Sequence, residues 1–375
     1  MKLALPILLT LVLTACGGGG GGSGTAISSA SVRSTVLSTT HTNTVYTEAV
    51  GDLNGDGLDD VVVSGWNSDS ATAYVYVFIQ NSDGTLTDRT SLLPNNVIAG
   101  SQRVLIADFD SDGHMDIFIP GFGDGSAMTR QNSVMFWGSN GSYIRNDWTD
   151  NSMAHGACVG DINNDGKTDI LIAGSGAWIN NGSRSFTLNN IFTNNYFTAC
   201  AVVKEATSST VYLANNNSVA GYKDAIVAYD FSLTVISSTG YQSDNSYDTI
   251  DVVAADLTGD GNKDFVISLN GIAINATGPR QVLANTGVNT YSYSSTLGSG
   301  RSSFYAHRLT INGSDSVFFS GDAQNASVYR GITQYRSSMF SGNNFDPVNV
   351  YQNTSNGKMY MLQLINGTFY TQEIQ

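Results

Sequence analysis

At 375 residues the chain exceeds one ordinary domain, and its 41% hydrophobic content is ample for a buried core. Only 13% of residues are charged and 5 are Pro, whereas Gly (40), Tyr (18) and runs of Asn, Ser and Thr are abundant; this is a profile of many short strands joined by turns, without long helices. The formal net charge of −14 argues against a nucleic-acid partner, because nothing would neutralise phosphates.

The chain opens on Met1 and Lys2, followed by an apolar run over residues 3–13 (LALPILLTLVL). That run suits the core of an export signal and is too short to cross a membrane comfortably as a helix. Leu13-Thr14-Ala15-Cys16 comes next and resembles the lipobox of bacterial lipoproteins. The resemblance implies a signal peptide over 1–15, cleavage before Cys16, a diacylglycerol on its sulfur and acylation of the new amino group. Residues 16–26 then hold the lipidated Cys16 and a Gly-rich tether with no core-forming capacity. Several acyl chains, at ~0.8 kcal/mol per buried methylene, make such an anchor stable. Gly17, in place of Asp, resembles lipoproteins sorted to an outer membrane. The expected location is therefore the bacterial cell envelope, periplasmic or surface-exposed.

Four segments then share the pattern Asp-x-(Asn/Asp/Thr)-x-Asp-Gly-x-x-Asp: DLNGDGLDD (52–60), DFDSDGHMD (108–116), DINNDGKTD (161–169) and DLTGDGNKD (256–264). Each runs directly into an apolar stretch, VVVSG, IFIPG, ILIAG or FVISL, that reads as a strand. The chemistry explains the spacing. Calcium takes six to eight hard oxygen ligands at about 2.3–2.6 Å, and a tight loop supplies them from alternate positions. Positions 1, 3 and 5 offer side-chain oxygens from Asp52, Asn54 and Asp56, from Asp108, Asp110 and Asp112, from Asp161, Asn163 and Asp165, and from Asp256, Thr258 and Asp260. Position 7 offers the carbonyl of Leu58, His114, Lys167 or Asn262, and Asp60, Asp116, Asp169 and Asp264 at position 9 are expected to close the sites. An EF-hand is excluded, since its closing Glu at position 12 is replaced by Val63, Ile119, Ile172 or Ile267 inside a strand. About four Ca²⁺ are expected, and the ligand carboxylates account for most of the acidity. By carboxylate count the Asp108 loop should bind tightest and the Asp256 loop weakest.

These repeats resemble the FG-GAP/VCBS family, whose blades in integrin α-subunits and bacterial surface proteins carry this loop between their first two strands. The family's later turn, of the type Asn-x-Gly before an aromatic residue or Leu, is matched at 81–86 (NSDGTL), 138–143 (GSNGSY) and 180–186 (NNGSRSF). Degenerate copies of the loop are expected at 203–211 (alternatively at 216–224), at 308–316 and at 352–360. Seven units of about four strands predict an all-β fold, a seven-bladed β-propeller of four-stranded antiparallel blades over residues 27–375. The last unit has room for only about two strands after its loop, so residues 27–39 are expected to supply its outer strand.

Cys158 and Cys200 stand at equivalent positions before neighbouring loops, and either a disulfide or two small buried thiols fits them. His41, His114, His155 and His307 show no ligand or triad spacing and read as solvated or core residues. Trp66, Trp137, Trp148 and Trp178 read as packing residues, with stacking on sugar rings as the alternative. No nucleophile elbow or phosphate loop is present, and no enzymatic activity is expected. The leading expectation is a calcium-braced, lipid-anchored adhesion or interaction module for a protein or glycan at the cell surface. A calcium-stabilised lectin is the alternative, and a polysaccharide-degrading enzyme a third reading.

Overall fold

The apolar runs after the four Asp loops, Val61 to Val63, Ile117 to Ile119, Ile170 to Ile172 and Phe265 to Ile267, are buried to 1% exposure or less on both faces. A strand covered on both faces has no reason to alternate, which is why these segments read as unbroken apolar stretches. In the computed structural model each is the second strand of a four-stranded antiparallel sheet. The model describes residues 33–39, 45–66, 72–101, 103–121, 131–149, 154, 156–189, 197–204, 208–215, 225–230, 234–240, 247–271, 277–287, 290–301, 306–311, 313–319, 327–331, 333–336 and 346–374. The segments expected to form the export signal and tether, with Cys16, lie outside the described residues, as do His41 and His155. Val32–Gln375 form one compact unit.

Seven four-stranded sheets are present among the described residues, six of them built in chain order. The first comprises Val45–Gly51, Asp60–Trp66, Tyr76–Gln80 and Leu86–Asp88. The first strands of the next five are Leu105–Ala107, Ala157–Gly160, Phe197–Lys204, Tyr247–Ala255 and Ala306–Ile311. The seventh holds Asp346–Gln352, Met359–Ile365 and Thr368–Glu373, and its fourth strand is Arg33–Ser38 from the other end of the chain. Arg33 pairs with Gln372 and Ser38 with Thr368. The two ends of the unit are thus stitched by backbone hydrogen bonds, with the N-terminal strand on the outer edge.

The sheets follow one another in a closed circuit. The first strand of each packs beside the first strand of the next, and Asp346–Gln352 packs beside Val45–Gly51. The core is divided in the same way. Val62 faces Ile117, Ile119 and Met135 of the second sheet, while its neighbours Val61 and Val63 face Leu362, Leu364 and Phe369 of the seventh. Phe118 turns the other way, toward Ile170 and Ile172 of the third sheet. Period-2 alternation therefore splits each second strand between two inter-sheet cores.

The degenerate units occupy the expected stretches, with two corrections to their loops. The stretch 203–211, expected as a nine-residue loop, is mostly strand: Val203 pairs with Thr210 and Lys204 with Ser209, leaving the connection between Phe197–Lys204 and Ser209–Asn215 at 205–208, while the alternative segment 216–224 lies outside the described residues. The stretch 308–316, expected as a nine-residue loop, is mostly strand: Ile311 pairs with Ser314, leaving only a two-residue turn in which Gly313 has φ +75°. With no Asp at its first position this segment lacks the hub that organises the longer loops, and its Asn-Gly pair suits a tight hairpin.

Candidate metal loops

In all four Asp loops the first Asp is a hub for the loop's own backbone. Asp52 Oδ1 accepts from the N–H groups of Gly55 (2.7 Å) and Asp56 (3.0 Å), and Oδ2 from Gly57 (2.8 Å). Asp108 accepts from Asp112 and Gly113, Asp161 from Asp165 and Gly166, and Asp256 from Gly259, Asp260 and Gly261. The position-6 glycine donates to this hub from a left-handed conformation, φ +84° at Gly57 and +89° at Gly113, which a side chain would strain. The fifth residue then accepts from the seventh: Leu58 donates to Asp56, His114 to Asp112, Lys167 to Asp165 and Asn262 to Asp260.

The position-9 carboxylates have a second task that local spacing does not reveal. Asp60 is fully buried; its Oδ2 accepts from Leu53 N–H at 2.9 Å and its Oδ1 from Gln80 N–H at 2.8 Å. Asp116 holds Phe109 and Trp137, Asp169 holds Ile162 and Asn180, and Asp264 holds Leu257 and Asn285 in the same way. Each therefore pins the start of its loop to the third strand of its own sheet. Burial, partly offset by these N–H groups, pushes the carboxyls of Asp60 and Asp116 up to about 7 and raises that of Asp169. The third-strand residue often returns the favour, since the amide groups of Gln80, Asn180 and Asn285 donate to the carbonyls of Asp59, Thr168 and Lys263.

The loops differ in what they bring together. Asp108, Asp110 and Asp116 each place a carboxylate oxygen within 4.8 Å of the others, the one such group of three acidic, His or Cys side chains among the described residues. Elsewhere position 3 is Asn54, Asn163 or Thr258, neutral oxygen donors that leave a sparser negative charge. An all-oxygen donor set of this kind suits a hard divalent cation such as calcium. Arg184 Nε lies 2.7 Å from Asp110 Oδ2, Lys204 Nζ 2.8 Å from Asp161 Oδ2, and Lys167 Nζ 2.7 Å from Asp165 Oδ2. The hydrogen bond from Lys167 holds the Asp165 carboxyl below its ordinary range.

A second polar site lies where the first strands converge. A cavity of about 360 Å³ is lined by residues on or just before the first strands of six sheets, among them Glu48, Arg103, Asp251 and His307. His307 Nε2 lies 2.6 Å from Glu48 Oε1, and Arg103 grips Asp251. Local spacing marks His307 only as a solvated or core residue, because its partner Glu48 stands more than two hundred positions away. Cys158 and Cys200, on the first strands of the third and fourth sheets, are joined by a disulfide with their Cα atoms 5.8 Å apart. Trp148 and Trp178 pack on each other, centroids 5.1 Å apart, and Trp148 stacks on Phe118 and Phe186 between the second and third sheets. Trp137 packs edge-on to Tyr143.

Residues 52–119 match the family model described as FG-GAP-like repeat, a span that holds the first two Asp loops and the strands they feed. No curated protein matches the chain. Among solved structures it is similar to a chain in "Crystal structure of BBS1N in complex with ARL6DN, soaked with mercury", with a TM-score of 0.51 at 10% identity, covering 92% of this chain and 97% of that one. At that identity the likeness concerns the fold alone. The molecule is thus an all-β protein of four-stranded antiparallel sheets, similar in fold to a β-propeller, and it carries an FG-GAP-like repeat at residues 52–119.

Proposed function

We propose that this chain is a seven-bladed β-propeller, braced by calcium in its Asp loops, that serves as an interaction module for a protein partner at a bacterial cell surface. The closed circuit of seven sheets supports the blade count. The observation that carries the calcium reading is the second loop, where three carboxylates converge within 4.8 Å on a backbone already wired for a tight turn. Asp108, Asp110, Asp112, the His114 carbonyl and Asp116 would hold the ion there. The equivalent donors are Asp52, Asn54, Asp56, the Leu58 carbonyl and Asp60; Asp161, Asn163, Asp165, the Lys167 carbonyl and Asp169; and Asp256, Thr258, Asp260, the Asn262 carbonyl and Asp264. A bound dication would supply the charge that keeps buried carboxyls such as Asp60 and Asp116 ionised.

The interaction reading draws on the FG-GAP-like repeat and on a fold neighbour, BBS1N, that was solved in complex with ARL6DN. The sequence before residue 27 adds the anchor: a signal over 1–15, a lipid on Cys16 and a tether that lets the propeller stand off an outer membrane. Trp148 and Trp178 spend their faces on inter-sheet packing, which weakens the case for sugar stacking on those rings. The test uses the mature protein in calcium against a glycan array, against envelope polysaccharide and against envelope protein fractions. Saturable binding that protease treatment of the fraction abolishes, with a silent array, supports the module. Array binding would select a lectin, and release of new reducing ends an enzyme.

A further inference from the structure

The basic residues on the loops are not evenly shared. Arg184 sits on a left-handed turn of the third sheet, φ +64°, that aims it at the second sheet's loop. Its Nε donates to Asp110 Oδ2 at 2.7 Å and its Nη2 to Trp137 O at 2.8 Å, while its guanidinium lies 5.1 Å over the Phe136 ring. The Asp110 side chain is only 7% exposed, so this cation is held by three separate contacts in a mostly covered place. One sheet further on, Lys204 ends the first strand of the fourth sheet and reaches back to Asp161 of the third sheet's loop. Among the described residues no Lys or Arg forms an ion pair with Asp52, Asp56 or Asp60, nor with Asp256, Asp260 or Asp264. Near the last of these loops the basic groups are diverted. Lys263 and Arg308 both go to Asp315, at 2.7 and 2.8 Å, and Asp315 also accepts from Asp256 N–H.

Resting on the calcium reading above, we infer that Arg184 and Lys204 are tethered competitors of calcium, making the Asp108 and Asp161 loops the weak, exchangeable sites and the Asp52 and Asp256 loops the tight ones. A cation fixed on a ligand oxygen lowers the charge that attracts the metal, and it must leave or shift outward before that oxygen can coordinate fully. Because each competitor belongs to the following sheet, it acts at a high effective concentration. Metal entry at these two loops exchanges a bond between sheets for a bond within one. Arg184, planar and held by three contacts, opposes the ion more strongly than Lys204, whose side chain is 62% exposed. The order by carboxylate count, which puts the Asp108 loop first, is therefore inverted.

The experiment titrates calcium into the full mature protein by calorimetry, beside Arg184→Gln, Lys204→Gln and, as a control, Asp56→Ala. The expected wild-type isotherm has a tight and a weak class. Arg184→Gln should move one weak site about tenfold tighter, and Lys204→Gln another by a smaller factor. Asp56→Ala should remove one tight site. In chelator Arg184→Gln should melt below wild type, yet its calcium-induced rise in melting temperature should be larger. Calcium binding that responds to Asp56→Ala but is unchanged in both Gln variants overturns the competition while leaving calcium in place. No binding by wild type at all overturns the calcium reading and this inference with it.

Discussion

Arg103 grips Asp251 with two hydrogen bonds, Nη1 to Oδ2 at 3.0 Å and Nη2 to Oδ1 at 2.5 Å, although the two are 148 positions apart, Arg103 just before the second sheet and Asp251 in the fifth. Both side chains are nearly covered, at 10% and 6% exposure, and Asp251 Oδ2 also accepts from Ala306 N–H. The pair ties together sheets that share no strand pairing. Breaking it from one side leaves the partner's charge buried. Asp251→Ala should therefore cost about 3–5 kcal/mol in urea unfolding, and the double variant Arg103→Met, Asp251→Leu should recover much of that loss. A single variant as stable as wild type would show that the pair contributes nothing to the fold.

Glu48 shares that cavity and gives it a pH dependence. Burial raises its carboxyl above the ordinary 4.5; His307 and Arg103 offset part of the rise and Asp251 adds to it. The folded state then holds a proton that the unfolded chain has lost, so this group's contribution is fully present below 4.5 and is lost as pH rises through the folded value. Glu48→Gln should flatten that part of the stability profile. Parallel pH profiles for the variant and wild type in chemical denaturation would remove Glu48 as the source.

The position-9 carboxylates separate a metal effect from a backbone effect. Asp60→Ala strips partners from the N–H groups of Leu53 and Gln80, which should cost about 2–5 kcal/mol whether or not calcium is present. Asp56→Ala removes an exposed loop group that accepts from Leu58 N–H, so its cost should be large in calcium and shrink in chelator to the loss of that bond. Melting curves of both variants in the two conditions decide the matter; equal calcium dependence would assign Asp60 the role of a ligand only.

The Cys158–Cys200 bridge closes a loop with a sequence separation of 42 and joins two first strands. On loop-closure entropy its removal is worth about 4 kcal/mol, with native-state relaxation lowering the observed figure to about 2–4 kcal/mol. The double Cys→Ala variant should show that loss, and reductant should lower the wild-type melting temperature while leaving the variant unchanged. Identical melting of the two proteins would mean the bridge does not constrain the unfolded chain.

What could be read before the structure was whatever is written locally. The hub Asp, the left-handed Gly and the apolar run all lie within about a dozen residues, so DFDSDGHMD followed by IFI announces loop and strand together. The second task of Asp60, Asp116, Asp169 and Asp264 was hidden because the N–H they hold on the third strand lies 20, 21, 11 and 21 positions later. The Glu48–His307 and Arg103–Asp251 pairs were more remote still, since only closure of the sheet circuit brings those first strands together. Nothing local marks Arg184 or Lys204, because only the packing of neighbouring sheets places them on another sheet's carboxylates. At 308–316 the resemblance suggested a loop, but the Asn-Gly turn and the absent first Asp decided for a hairpin.

Calcium as the brace of the fold is the central claim, and melting with and without metal tests it most directly. Extracellular calcium modules bind at about 10⁻⁴–10⁻³ M, so millimolar calcium would stabilise each proposed site by roughly 0.4–1.4 kcal/mol, or on the order of 2–6 kcal/mol over four sites. Against a total stability of ~5–15 kcal/mol that is a large share. The protein should melt several degrees higher in millimolar calcium than in excess chelator, and the difference should shrink stepwise as Asp56, Asp112, Asp165 and Asp260 are replaced by Ala. An unchanged melting temperature in chelator, with metal analysis proving the protein calcium-free, would contradict the account.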